Sequence, residues 1–97
     1  MTTYVVTRHE GALDWLKNEG VVFDQHLLHL EIGMLKKNDV VVGNLPIPIV
    51  AEINKLGVVY KHLSFNVPFA LRGRELTAQE LKHLDANLRV FYVTEMD

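Results

Sequence analysis

A chain of 97 residues with a formal charge of -2 and no cysteine has room for one hydrophobic core, lacks the positive field that long nucleic acids select, and can form neither a disulfide framework nor a thiolate metal site. No apolar run reaches the length of a bilayer span, and neither a basic region nor a cleavage signal precedes the first apolar stretch. The expectation is one soluble, cytoplasmic domain over residues 1–97 with no membrane partner.

The first element is the β-branched run Tyr4-Val5-Val6-Thr7, a buried strand by composition, and it leads directly into Arg8-His9-Glu10-Gly11-Ala12. Ala12, Trp15 and Leu16 then recur at helical spacing, with Gly20 placed for a left-handed cap. A polar cluster between a strand and a helix lies where open α/β sheets bind ligands. The backbone N–H groups from Gly11 onward would face an anion there, beside Arg8 and His9.

Residues 23–30 read as a second strand, in which His26 and His29 face opposite sides of the sheet and do not jointly hold a metal. Residues 31–38 are a polar connection with space for about one helical turn. Val40-Val41-Val42 is a third strand ending in Gly43-Asn44-Leu45-Pro46, and Pro48 suits the first turn of a helix whose apolar face is Ile49, Val50, Ile53 and Leu56. Residues 58–65 alternate as a fourth strand, with Tyr60, His62 and Ser64 on one side and Val59, Leu63 and Phe65 on the other. Residues 66–76 leave regular structure and carry Arg72-Gly73-Arg74-Glu75. Thr77-Ala78-Gln79-Glu80 is a capping box with Leu76 and Leu81 at the positions of a hydrophobic staple, and residues 88–94 form a closing strand.

The order β-α-β-β-α-β-α-β implies an α/β fold: a compact, single-domain, Rossmann-like three-layer sandwich around a mostly parallel five-stranded sheet. Thr7-Arg8-His9 and Gly43-Asn44 would then end adjacent or nearly adjacent strands. Arg8 can pair bidentately with a phosphate and His9 can move protons near neutrality, a combination suited to phosphoryl chemistry. Asn44 adds a neutral donor and acceptor, and Ser64 a hydroxyl. No cluster of carboxylates accompanies them, so neither a metal nor a cofactor is expected.

An Arg-His pair and a glycine after a strand resemble the phosphohistidine motif of the phosphoglycerate mutase and acid phosphatase superfamily, although here the glycine comes one residue late. A second resemblance spans nearly the whole chain. Thr7-Arg8-His9-Glu10-Gly11-Ala12 with Trp15, then Asp39-Val40-Val41-Val42-Gly43-Asn44-Leu45-Pro46, His62-Leu63-Ser64 and Arg72-Gly73-Arg74-Glu75-Leu76, resemble the small accessory proteins of type III CRISPR systems numbered in the CRISPR-associated "x" series. What this resemblance implies is a ring nuclease, a homodimer that degrades cyclic tetra-adenylate and so switches off the antiviral response. On that implication Arg8 stabilises charge on the phosphorus, His9 transfers a proton, and Thr7, Gly11, Asn44, Ser64, Arg72 and Arg74 contact the substrate. Two other functions are compatible with the same residues. One is a sponge or sensor that binds a cyclic oligoadenylate without cutting it, and the other is a structural subunit whose arginines meet another protein.

Overall fold

The computed structural model describes residues 1–66, 71 and 73–97. Its elements follow in the order β1 (Thr3–Val6), α1 (Glu10–Asn18), β2 (Gln25–Leu27), a 3₁₀ turn (Ile32–Met34), β3 (Val40–Gly43), α2 (Ile47–Lys55), β4 (Val59–Ser64), α3 (Ala78–His83) and β5 (Asn87–Phe91). This is the order expected from the sequence, with the space for one helical turn filled by the 3₁₀ segment. The second strand is shorter than residues 23–30. Asp24 bounds its start by exchanging bonds with Thr3, its backbone N–H donating to the Thr3 carbonyl and its carboxylate accepting from the Thr3 N–H, both at 2.8 Å.

The sheet runs β2-β1-β3-β4-β5, parallel except for the antiparallel β4–β5 pair. From β1 the chain crosses through α1 to one side, and from β3 it crosses through α2 to the other, so the direction of winding reverses between β1 and β3. Alternation along the strands divides the core in two. Val5, Val40, Val42 and Leu63 pack under Ala12, Leu13, Trp15 and Leu16 of α1 and Leu81 of α3. Tyr4, Val6, Val41 and Tyr60 pack under Val50 and Ile53 of α2. The result is the three-layer α/β arrangement, built from a sheet with apolar side chains on both faces.

Local chemistry sets the element ends. Thr77 accepts from the Glu80 N–H at 3.2 Å while the Glu80 carboxylate accepts from the Thr77 N–H at 3.1 Å, a complete capping box at the start of α3. Leu76 and Leu81, at the positions of the staple, flank it and both pack into the core on that face. Gly11 allows the segment before α3 to lie directly against α1. A Cβ at Gly11 would stand 1.7 Å from the Leu76 carbonyl oxygen, so only glycine permits this approach.

Asp39 fastens the beginning of the sheet. Its buried carboxylate accepts from the Thr2 N–H and the Lys36 N–H, each at 2.9 Å. Those two backbone donors, Lys36 foremost, hold the Asp39 carboxyl below its ordinary value of 3.8. Because the native value is lowered, the stabilisation is complete above pH 3.8 and is lost as pH falls through the native value. Replacing Asp39 with Asn puts an amide N–H₂ against one of the two donors. Thermal melts of Asp39→Asn are therefore expected to show a lower Tm at neutral pH and a shallower acid limb below pH 3.8 than the parent chain.

Gly11→Ala tests the α1 contact. It is expected to destabilise the fold by about 1–3 kcal/mol in urea titrations, because the Leu76 backbone must move to admit the methyl group.

Candidate active site

The candidate site grows out of the end of β1. Thr7 continues the ladder for one bond, its N–H donating to the Leu27 carbonyl at 3.1 Å, and the chain then turns. The Thr7 hydroxyl accepts from the His9 N–H at 3.1 Å, a short side-chain turn that aims residues 8 and 9 away from the sheet. The Thr7 carbonyl accepts from Nε2 of His26 at 2.8 Å, so that nitrogen carries the hydrogen. His26 thereby ties β2 to the turn. His9 is the N-cap residue of α1, with extended dihedral angles and no capping bond from its side chain. The N–H groups of the first helical turn lack a side-chain cap, and the positive end of α1 is presented beside Arg8.

A cleft of about 1120 Å³ opens at the carboxyl ends of β1 and β3. This is the point where the winding direction reverses, the place where doubly wound sheets leave a crevice between diverging connections. Val5, Ala12, Leu16, Leu63 and Leu81 contribute an apolar floor, and Thr7, Arg8, His9, His29, Asn44 and Arg74 bring polar groups to it. Tyr60 supports the β3 side. Its hydroxyl accepts from the Leu45 N–H at 2.9 Å and lies 3.1 Å from the Gly43 carbonyl, fixing the turn that carries Asn44. Burial pushes the Tyr60 hydroxyl above its ordinary pKa, with the Leu45 N–H opposing, so it stays a neutral structural group.

The structure thus brings together five of the residues expected at the site: Thr7, Arg8, His9, Asn44 and Arg74. Asn44 is partly committed, since its Nδ2 donates to the Leu63 carbonyl at 3.0 Å and holds β3 to β4, leaving its oxygen as an acceptor. Arg74 pairs with Glu80, whose carboxyl is held below its ordinary value by the Thr77 N–H first and by Arg74 after it. Gly11 does not line the cleft; its place is under the Leu76 backbone, where it provides clearance rather than a surface. Ser64 does not line it either, and its hydroxyl donates to Asn87 of β5 at 3.1 Å. Arg72 lies outside the described residues. His62 contacts the Tyr60 hydroxyl at 2.6 Å and stands edge-on to Phe91, a sheet histidine away from the cleft.

Two further residues belong to the constellation and were not expected there. Glu75 reaches His9, its Oε1 2.9 Å from Nδ1. A carboxylate only accepts, so Nδ1 of His9 carries a hydrogen and Nε2 is the nitrogen left for other partners. His29 reaches Arg8, with both ring nitrogens 3.3 Å from Nη2. The sequence placed His29 within a strand, whereas the chain has left β2 by residue 28 and carries the imidazole over the end of β1. Glu75 follows Arg74 in the sequence and is legible there only as part of a charged loop. Among the described residues, no three His, Asp or Glu side chains are grouped to hold a metal ion. No helix of the described residues is long and apolar enough to cross a membrane.

Residues 4–94 match the model of a family described as "Putative CRISPR-associated protein (Cas_VVA1548)". No curated protein and no solved structure matches the chain.

The Glu75 contact has a spectroscopic consequence. In a histidine-selective nitrogen–proton correlation spectrum, His9 is expected to show the Nδ1–H form where it is neutral. Glu75→Ala is expected to shift it toward the mixture of tautomers of free imidazole, with little change in Tm because both partners are largely exposed.

Proposed function

The chain belongs to this family of CRISPR-associated proteins, and on that premise we propose that it is a ring nuclease, cleaving cyclic tetra-adenylate and so ending the signal of a type III system. The observation that carries the proposal is the joining of Arg8 and a carboxylate-oriented His9 at the cleft where β1 and β3 end. A guanidinium there can grip a bridging phosphate through two parallel hydrogen bonds. An imidazole whose Nδ1 is committed to Glu75 offers Nε2 for proton transfer, the arrangement that positions histidine in many acid–base sites.

RNA-type phosphodiester cleavage suits so small a set of groups. The ribose 2′-oxygen bonds to phosphorus and the bond from phosphorus to the 5′-oxygen breaks, leaving a 2′,3′-cyclic phosphate and a 5′-hydroxyl. The substrate brings its own nucleophile, so the protein aligns it, stabilises charge and moves protons. Arg8 compensates the charge that builds on the non-bridging oxygens, and His9 moves a proton. The oxygen of Asn44 and the hydroxyl hydrogen of Thr7 serve ribose or phosphate contacts, and Arg74 contributes positive charge from the segment before α3. The apolar floor accommodates base and sugar surfaces. A four-fold repeating ligand is matched by a two-fold pair of subunits, each supplying one Arg8-His9 pair, so the proposed state is a homodimer that makes two cuts.

Incubation with cyclic tetra-adenylate and a metal chelator, followed by chromatography, is expected to give linear products ending in cyclic phosphate. His9→Ala is expected to lower turnover about a hundredfold or more with a much smaller change in binding. Intact, bound ligand would identify a sponge. Neither cleavage nor binding would favour a structural subunit, and cleavage only on adding a divalent metal would overturn the mechanism.

A further inference from the structure

We propose that the reaction uses two histidines, with His29 as the general base and His9 as the general acid; this division rests on the nuclease proposed above. Transesterification at a ribose moves two protons. One leaves the 2′-oxygen as it bonds to phosphorus, and one reaches the 5′-oxygen as its bond to phosphorus breaks. A single imidazole in one position cannot serve both ends of an in-line displacement, because the attacking and leaving oxygens lie on opposite sides of the phosphorus.

Two imidazoles line the cleft, His9 and His29, and Arg8 joins them. Arg8 precedes His9 in the chain, and its Nη2 lies 3.3 Å from both ring nitrogens of His29. A phosphate held by Arg8 therefore lies beside His29, and His9 lines the same cleft.

Hydrogen-bond chemistry divides the roles. A guanidinium only donates, and Arg8 Nη2 stands equally 3.3 Å from both ring nitrogens of His29, over the ring and not in line with an N–H, so the neutral ring keeps one nitrogen with the lone pair that a base requires. When Arg8 turns to the phosphate, that lone pair is released next to the substrate and takes the 2′-proton. His9 faces a carboxylate, which only accepts. Its Nδ1–H is fixed on Glu75 at 2.9 Å, which leaves Nε2 as the nitrogen that passes a proton to the departing 5′-oxygen. After one cut His29 holds the proton that His9 has lost, and exchange with water restores both.

The test compares the parent protein, His9→Ala, His29→Ala and His29→Gln on cyclic tetra-adenylate and on adenosine 3′-(4-nitrophenyl phosphate), whose leaving group departs without a proton. His9→Ala is expected to be slowed about a hundredfold on the ring and little on the nitrophenyl ester. Both His29 variants are expected to be slow on both substrates.

His29→Gln keeps a hydrogen-bond acceptor for Arg8 and cannot relay a proton. Turnover by His29→Gln at the parental rate would overturn the proposal, reducing His29 to a support for Arg8. A His29→Ala variant slow on the ring alone would overturn the division of roles, since it would mark His29 as the acid. A parent protein that cleaves neither substrate refutes the nuclease itself, a result distinct from an active parent whose His29 variants are unimpaired.

Discussion

The pairing of β1 with β3 is the constraint on which the rest of the molecule depends. These strands lie side by side and in parallel, with Val6 opposite Gly43, while the connections that leave them go to opposite sides of the sheet. Right-handed crossovers then require α1 and α2 to cover opposite faces, and a gap opens above the pair where neither helix lies. A Cβ at Gly43 would meet the Val6 carbonyl at 2.8 Å, so the strand ends are drawn close by the absence of a side chain. The turn bearing Arg8 and His9 and the turn bearing Asn44 become neighbours as a consequence of topology. The remaining contributors are brought to that gap from elsewhere: His29 from beyond β2, Arg74 and Glu75 from the approach to α3.

What was legible in the sequence was what local chemistry decides. Val40-Val41-Val42 could only be a strand buried on both faces, Thr77 with Glu80 could close a capping box within one turn of helix, and Pro48 near the start of α2 marked where that helix begins. The order of the whole sheet was not legible, but fold rules put the first and third strand ends adjacent or nearly adjacent, so Arg8 and Asn44 could be placed near one another without coordinates. Contacts between loops were not legible. Glu75 lies 66 positions from His9, and their meeting depends on the backbone clearance at Gly11, which composition does not reveal. His29 was assigned to a strand because apolar and polar residues mix over residues 23–30. In an edge strand with exposed Gln25 and His26, that mixture carries little information about where pairing stops. Ser64 shows the complementary limit. Alternation gave its side of the sheet correctly, but the antiparallel arrival of β5 supplied Asn87 as its partner.

The site combines groups of two origins. Arg8, His9 and Asn44 continue strands from the sheet centre, where Val5, Val41 and Val42 are almost wholly shielded from water. His29 and Glu75 belong to segments at the margin. Such a division resembles a rigid frame carrying adjustable partners, and it lets hydrogen-bond geometry around the imidazoles change without disturbing the core.

That margin has a consequence for how the molecule opens. β2 is three residues long, pairs only with β1, and leaves two of its three side chains in solvent. Detaching it exposes little apolar surface, so it requires far less free energy than global unfolding, yet it releases the His26 bond to Thr7 and carries His29 away from Arg8 together. The edge strand is in effect a separate cooperative unit. Its amide protons would exchange with solvent well before those of β3, and fluctuations invisible to a melting curve would disassemble one half of the site at a time.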